Sequence, residues 1–156
     1  PTLLDFPAPR IRAYPVETVI AEKLHALVDL GMRTSRMKDL FDLFTIVRQF
    51  ALDASTLRAA LMGTFGRRDT ALPDALPEVL AERAATDEAK QAQWKAFLRK
   101  SDLSTAGADL GNVLAVLREF AGPLLEMARD LDAHLVPGSQ WPPGGPWQAP
   151  EADAAA

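Results

Sequence analysis

Three side chains in the stretch YPVETVIAEKLHALVDLGMRTSRMKDLFDL, residues 14–43, are of types that could work together: Lys23, Asp39 and Asp42. The stretch reads as helix, turn, helix. Placed on a wheel at about 100° per residue, Val16, Val19, Ile20, Leu24 and Leu27 fill one arc of the first helix, and Lys23 falls inside it. Glu22 and His25 fall well outside. On the second helix the apolar arc centres near Leu40 and Phe44, with Asp39 at its border and Asp42 three residues on, sharing its face. Arg36 and Lys38 sit in the same first turn. A short Gly31–Ser35 connection makes the helices neighbours, so Lys23 and Asp39 are placed to line one cleft, where an ammonium beside a carboxylate can meet a charged ligand.

Each of these residues also has a plainer reading. Lys23 can lay its methylenes on apolar surface and lift its ammonium to water. Asp39 and Asp42 can be surface acids paired with Arg36 and Lys38. His25 reads as a solvated face residue. His134 reads as the end of a helix, where positive charge is favourable. Trp94 stands at helical spacing from Phe97 and Leu98 and reads as core.

The elements that must position these groups are mostly helical. Pro15 suits the first turn of the first helix, Glu17 suits its dipole, and Gly31 is a ready C-terminal cap. Thr34 or Ser35 is the expected cap of the second helix, whose apolar set is Met37, Leu40, Phe41, Leu43, Phe44, Val47 and Phe50. Further helices are predicted over Ala54–Phe65, Asp87–Lys100 and Asp109–Ala121, with a continuation from Pro123 to about His134. Gly122-Pro123 should break or kink the last one. GRRDTALPDALPEVL reads as a loop. Before the helices, Leu3–Phe6 and Arg10–Tyr14 read as two short extended pieces, too little for a stable sheet alone. They look like the edge of a sheet whose remainder lies upstream, and a chain that opens at Pro1 on apolar TLLDFP is expected to be a fragment.

Composition narrows the function classes. The 156 residues, 48% hydrophobic with a net charge of −4, suit one core and argue against a wholly nucleic-acid-binding surface. Without cysteine there is neither a disulfide framework nor a thiolate metal site, and two histidines do not make a zinc site. No apolar run approaches a membrane span, so a soluble, cytoplasmic protein is expected. The ending VPGSQWPPGGPWQAPEADAAA is too rich in Pro, Gly and Ala to be expected in the core as regular structure.

The run from Tyr14 to Leu43 resembles the signature of the bacterial abortive-infection nucleotidyltransferases of the AbiEii/AbiGii toxin type: Tyr-Pro-x-Glu-Thr-Val-x-Ala-Glu-Lys, then Asn-Ser-Arg-x-Lys-Asp, then an aromatic-Asp-Leu. LLDFPAPRIRAYP, KQAQWKAFLRKS and WPPGGPW resemble family members too. Thr34 stands where Asn is common and Phe41 where Tyr is frequent. The resemblance implies a mainly α chain, the helical C-terminal subdomain of an α/β nucleotidyltransferase fold. Residues 1–14 would form a strand stub, 15–136 the helical part and 137–156 a tail. It implies transfer of a nucleotide from NTP to an acceptor such as the 3′ end of tRNA, in phage defence or toxin–antitoxin growth control, with a cognate antitoxin as partner. Lys23 and Asp39 are then the catalytic residues, Lys23 on triphosphate oxygens and Asp39 orienting or activating the incoming group. Arg36, Lys38 and Asp42 are substrate-binding. Mg²⁺ is implied as cofactor, but the Gly-Ser motif and paired aspartates that hold it in such enzymes have no counterpart before Tyr14, and lone Asp5 is no substitute. The chain is therefore expected to be inactive without the N-terminal half of the domain. The competing reading is a non-catalytic helical module that binds protein or RNA, or a decayed toxin. Trp141 and Trp147 in the proline-rich tail fit such a module.

Overall fold

The computed structural model describes residues 14–101, 108–129 and 134–150. Among them are six helices: α1 Val16–Leu30, α2 Met37–Gln49, α3 Ala54–Arg67, α4 Glu82–Thr86, α5 Glu88–Lys100 and α6 Leu110–Arg129. Two two-residue strands, β1 Leu52–Asp53 and β2 Gln140–Trp141, pair antiparallel. The protein is mainly α, as its periodicity predicts. The predicted strands Leu3–Phe6 and Arg10–Tyr14 lie almost entirely outside the described residues, as does Asp5.

Long α6 carries the centre of the core. Val113, Leu117, Phe120, Ala121 and Leu124, spaced by three or four residues, are fully buried, and the helix packs on α2, α3 and α4. It runs through Gly122-Pro123 instead of breaking there. Proline removes one ladder donor, but the orphaned carbonyl belongs to solvent-facing Glu119, and Phe120, Ala121, Leu124 and Leu125 bury the other side on both flanks. Packing therefore outweighs the local defect. The helix ends at Arg129 among the described residues, and exposed His134 stands outside it.

Smaller departures have local causes. Pro15 is the residue before the first helical position of α1, and Gly31 closes the helix at φ +50° with its N–H on the Leu27 carbonyl. Neither Thr34 nor Ser35 caps α2. The helix starts one residue later than such a cap would require, and the buried Thr34 hydroxyl instead accepts from the Arg36 N–H at 3.1 Å. Phe50, expected on the apolar face, lies just past the end of α2 and is 47% exposed. The segment predicted as a loop ends in a 3-10 turn, Glu78–Leu80, that buries Val79 and Leu80. Trp94 is core, its indole N–H donating to the Ala108 carbonyl at 2.8 Å.

The proline-rich tail joins the core. Trp141 is fully buried and donates to the Val47 carbonyl at 2.7 Å; Trp147 stacks on Phe120 and donates to the Phe120 carbonyl at 3.0 Å. Two indoles supply enough apolar area to anchor a segment that composition alone marks as loop. Gly145 is required beside them, since a Cβ there would lie 2.4 Å from the Trp141 ring and φ is +73°.

Candidate functional site

Helix α1 forms the floor of a cleft of about 770 Å³, between a wall made by the start of α2 and a wall made by the end of α3. Its lining includes Thr18, Glu22, Lys23, His25, Arg36, Asp39, Arg67 and Arg68. Adjacent positions on α1 turn to opposite walls: Lys23 leans to α2 and Glu22 to α3.

On the α2 side, the Lys23 ammonium donates to Asp39 Oδ1 and to Asp42 Oδ2, each at 2.7 Å. Lys38 Nζ also reaches Asp42 Oδ2, at 2.6 Å. Arg36 Nε lies 2.6 Å from Asp39 Oδ2, but without hydrogen-bond alignment, so this buried oxygen accepts no hydrogen bond. The structure thus brings Lys23, Asp39, Asp42 and Arg36 together. Asp42, three residues on from Asp39, holds the ammonium as closely as Asp39 does. Lys38 is mostly exposed and stands behind Asp42, outside the cleft lining.

Electrostatics follow from this geometry. Burial pulls the Lys23 pKa down, but hydrogen bonds and charge from Asp39 and Asp42 outweigh it and raise the pKa above an ordinary lysine's. Burial likewise pushes the Asp42 carboxyl up, and Lys23 and Lys38 more than reverse it, leaving it below the usual carboxylate range. The ammonium is therefore held charged. It has three N–H donors, two of which serve the aspartates.

On the α3 side, Glu22 takes both Arg67 and Arg68. His25, expected in solvent, is 6% exposed: it lies edge-on to Phe65, its Nε2 3.0 Å from the Thr70 hydroxyl. The wheel placed it off the apolar arc correctly, but α3 packs on that flank of α1 and covers it. Burial first, then the Arg68 charge, pushes the His25 pKa down, favouring the neutral ring. Sequence reasoning also missed Arg67 and Arg68, read as loop, and Lys90. Lys90 is buried on α5 and donates to the Thr34 carbonyl and to Gln93 Oε1, which fixes the turn that delivers Arg36 and Asp39. Its spacing from Trp94, four residues on, was the signal available.

Among the described residues, no group of three or more His, Asp or Glu could hold a metal ion. Asp39 and Asp42 are both engaged by Lys23, so the described residues do not fit Mg²⁺ as a ligand set.

A family model described as "Nucleotidyl transferase AbiEii toxin, Type IV TA system" matches residues 1–116, about three quarters of the chain. The chain belongs to the AbiEii nucleotidyltransferase toxin family. The match includes α1, α2, α3 and every cleft residue named above. Membership in a type IV toxin–antitoxin family implies a cognate antitoxin. Neither the curated proteins nor the solved structures yielded a match. No described helix is long and apolar enough to cross a membrane.

Proposed function

We propose that this AbiEii-family chain serves nucleotide transfer from an NTP to an acceptor hydroxyl, with the cleft over α1 receiving the triphosphate and Lys23 as its phosphate contact. One observation carries the reading: in a protein of net charge −4, four cations (Lys23, Arg36, Arg67, Arg68) line this cleft against two carboxylates (Glu22, Asp39). Such a cleft concentrates polyanions that the rest of the surface repels.

At the α2 wall Lys23 has a donor beyond its two aspartate bonds, and Asp39 Oδ2 is an acceptor without a hydrogen bond. The donor suits a triphosphate oxygen, where lysine acts as a compact point charge. Arg36 covers that oxygen now; its guanidinium turning to a bound phosphate would open Asp39 Oδ2 to the hydroxyl of the incoming group, which Asp39 orients while it also fixes the ammonium. Asp42 is the second anchor of Lys23, Arg36 adds charge for phosphate in the cleft, and Lys38, outside the lining, acts through Asp42. In the transfer, the acceptor oxygen bonds to the α-phosphorus, the bond to the β-phosphate bridge breaks, pyrophosphate leaves and the hydroxyl proton passes to solvent. The 3′ end of tRNA is the acceptor we would test first.

Of the features that fit a non-catalytic module, the tail tryptophans have both indole N–H groups used inside the fold. Growth arrest on expression of the chain together with the N-terminal half of the domain, with labelled-nucleotide incorporation into cellular RNA, tests the enzyme reading. Lys23→Met and Asp39→Asn should each abolish both while remaining folded by circular dichroism. Arrest at the wild-type level by folded Lys23→Met would remove the assignment.

A further inference from the structure

We propose that Arg67 and Arg68 form a second phosphate subsite on the α3 wall, held in reserve by Glu22, for the phosphodiester backbone of a single-stranded polynucleotide acceptor. Its ligand's identity rests on the nucleotide-transfer reading of the cleft; its existence rests on the geometry that follows.

Two guanidiniums share one carboxylate here, Arg67 through Glu22 Oε1 at 3.4 Å and Arg68 through Glu22 Oε2. One positive charge is left over, and beyond these contacts and the Arg67 bond to the Thr64 hydroxyl at 3.2 Å, most of the N–H donors are unengaged among the described residues. The side chains of Arg67 and Arg68 are 63% and 53% exposed, against 17% for Lys23, so they stand at the mouth of the cleft while the ammonium sits at its floor. Exposed ion pairs contribute only about 0–1 kcal/mol, so fold stability does not explain the cluster.

The backbone beneath the arginines is held firmly for an exposed helix end. Thr70 N–H returns to the Phe65 carbonyl at 3.0 Å and Asp69 N–H to Gly66 at 3.3 Å, the closure that usually places glycine in the left-handed position. Asp69 occupies that position at φ +49°, a conformation costly to a residue with a Cβ. The Thr70 hydroxyl then bonds the Arg68 carbonyl at 3.1 Å and meets buried His25 of α1. Arg67 and Arg68 are thereby fixed relative to the helix that carries Lys23.

Guanidinium forks match phosphate oxygens, and contacts of this kind register a nucleic acid without reading its sequence. A strand lying across the mouth would leave its terminal hydroxyl free to reach toward Asp39. Glu22 is an internal competitor for the same donors, displaced only by a ligand of higher charge density.

The test is binding of the full chain to a short fluorescent single-stranded RNA of mixed sequence, by anisotropy across a salt series, with ATP affinity measured on the same samples. Arg67→Ala/Arg68→Ala should weaken RNA binding about tenfold and flatten the salt slope by about 1.4, about 0.7 per lost phosphate contact, while ATP affinity falls much less, through the loss of general positive charge at the mouth alone. Glu22→Gln should tighten RNA binding about threefold or more, a gain that unfolding cannot produce. Absence of RNA binding by the wild type, an unchanged slope in the double variant, or weaker binding by Glu22→Gln overturns the subsite. So does a parallel loss of ATP affinity in the double variant, which would assign the arginines to the nucleotide. Failure of ATP to bind the wild type counts against the nucleotide reading alone.

Discussion

Replacing Lys23 by methionine keeps the aliphatic stem and removes only the ammonium, which isolates what that charge contributes. Two hydrogen bonds of 2.7 Å disappear, one to Asp39 and one to Asp42. Bonds to charged partners contribute roughly 1.5–3 kcal/mol each when well buried. Here the side chains of Lys23, Asp39 and Asp42 are 17%, 7% and 24% exposed, and Arg36 and Lys38 remain beside the orphaned carboxylates. Water and those cations recover part of the loss, so the expected destabilisation is about 1–3 kcal/mol, a fall in Tm of roughly 2–10 °C for a domain of this size. The pH dependence has a definite sign. The Lys23 pKa is raised in the fold, so its contribution is full below the ordinary lysine value of 10.5 and is lost as pH rises through the folded value. The Asp42 pKa is depressed, so its contribution is present above 3.8 and is lost as pH falls through the folded value. The stability gap between wild type and Lys23→Met, from denaturant titrations, should be flat between these limits and shrink beyond both. A double-mutant cycle with Asp39→Asn should give a coupling of about 1 kcal/mol or more. A variant as stable as the wild type at neutral pH, with additive cycle energies, would refute the view of Lys23 as a shared anchor.

Other parts of the account lead to separate measurements. Asp53 Oδ1 accepts from Thr56 N–H at 2.7 Å, and its Oδ2 accepts from Gln140 at 2.8 Å, so Asp53→Ala loses both a helix cap and a tail contact; it should cost about 1–2 kcal/mol in thermal unfolding. Gly145→Ala drives a methyl into the Trp141 ring and should loosen the tail, read as accelerated proteolysis in residues 134–150. His25 has a depressed folded pKa, so stability should decline as pH falls below the ordinary histidine value of 6.5, where the unfolded chain takes up its proton first. His25→Gln should flatten that limb of a Tm-versus-pH plot, and an unchanged acid limb would argue against a buried neutral ring.

The helices were legible wherever a strong apolar period met a punctuating residue. α1 ends at Gly31, α5 begins just after Asp87, and both follow from local chemistry. Lys23 stood out because it is charged within an apolar arc, and Asp39 because it borders the arc of the next helix. What escaped was set by tertiary contact. His25 lies off the arc of α1, and only the arrival of α3 buries it. Arg67 and Arg68 look like the start of a loop until α3 is laid against α1. The tail misled because prolines and glycines dominate its composition, while two indoles decide its place.

Titration calorimetry of the chain with a nucleoside triphosphate tests most directly whether the Lys23 ammonium faces phosphate. Folded Lys23→Met should lose at least tenfold in affinity, about 1.4 kcal/mol, while Lys95→Met on the exposed surface of α5 should bind as the wild type does. Equal affinity for wild type and Lys23→Met would contradict the account.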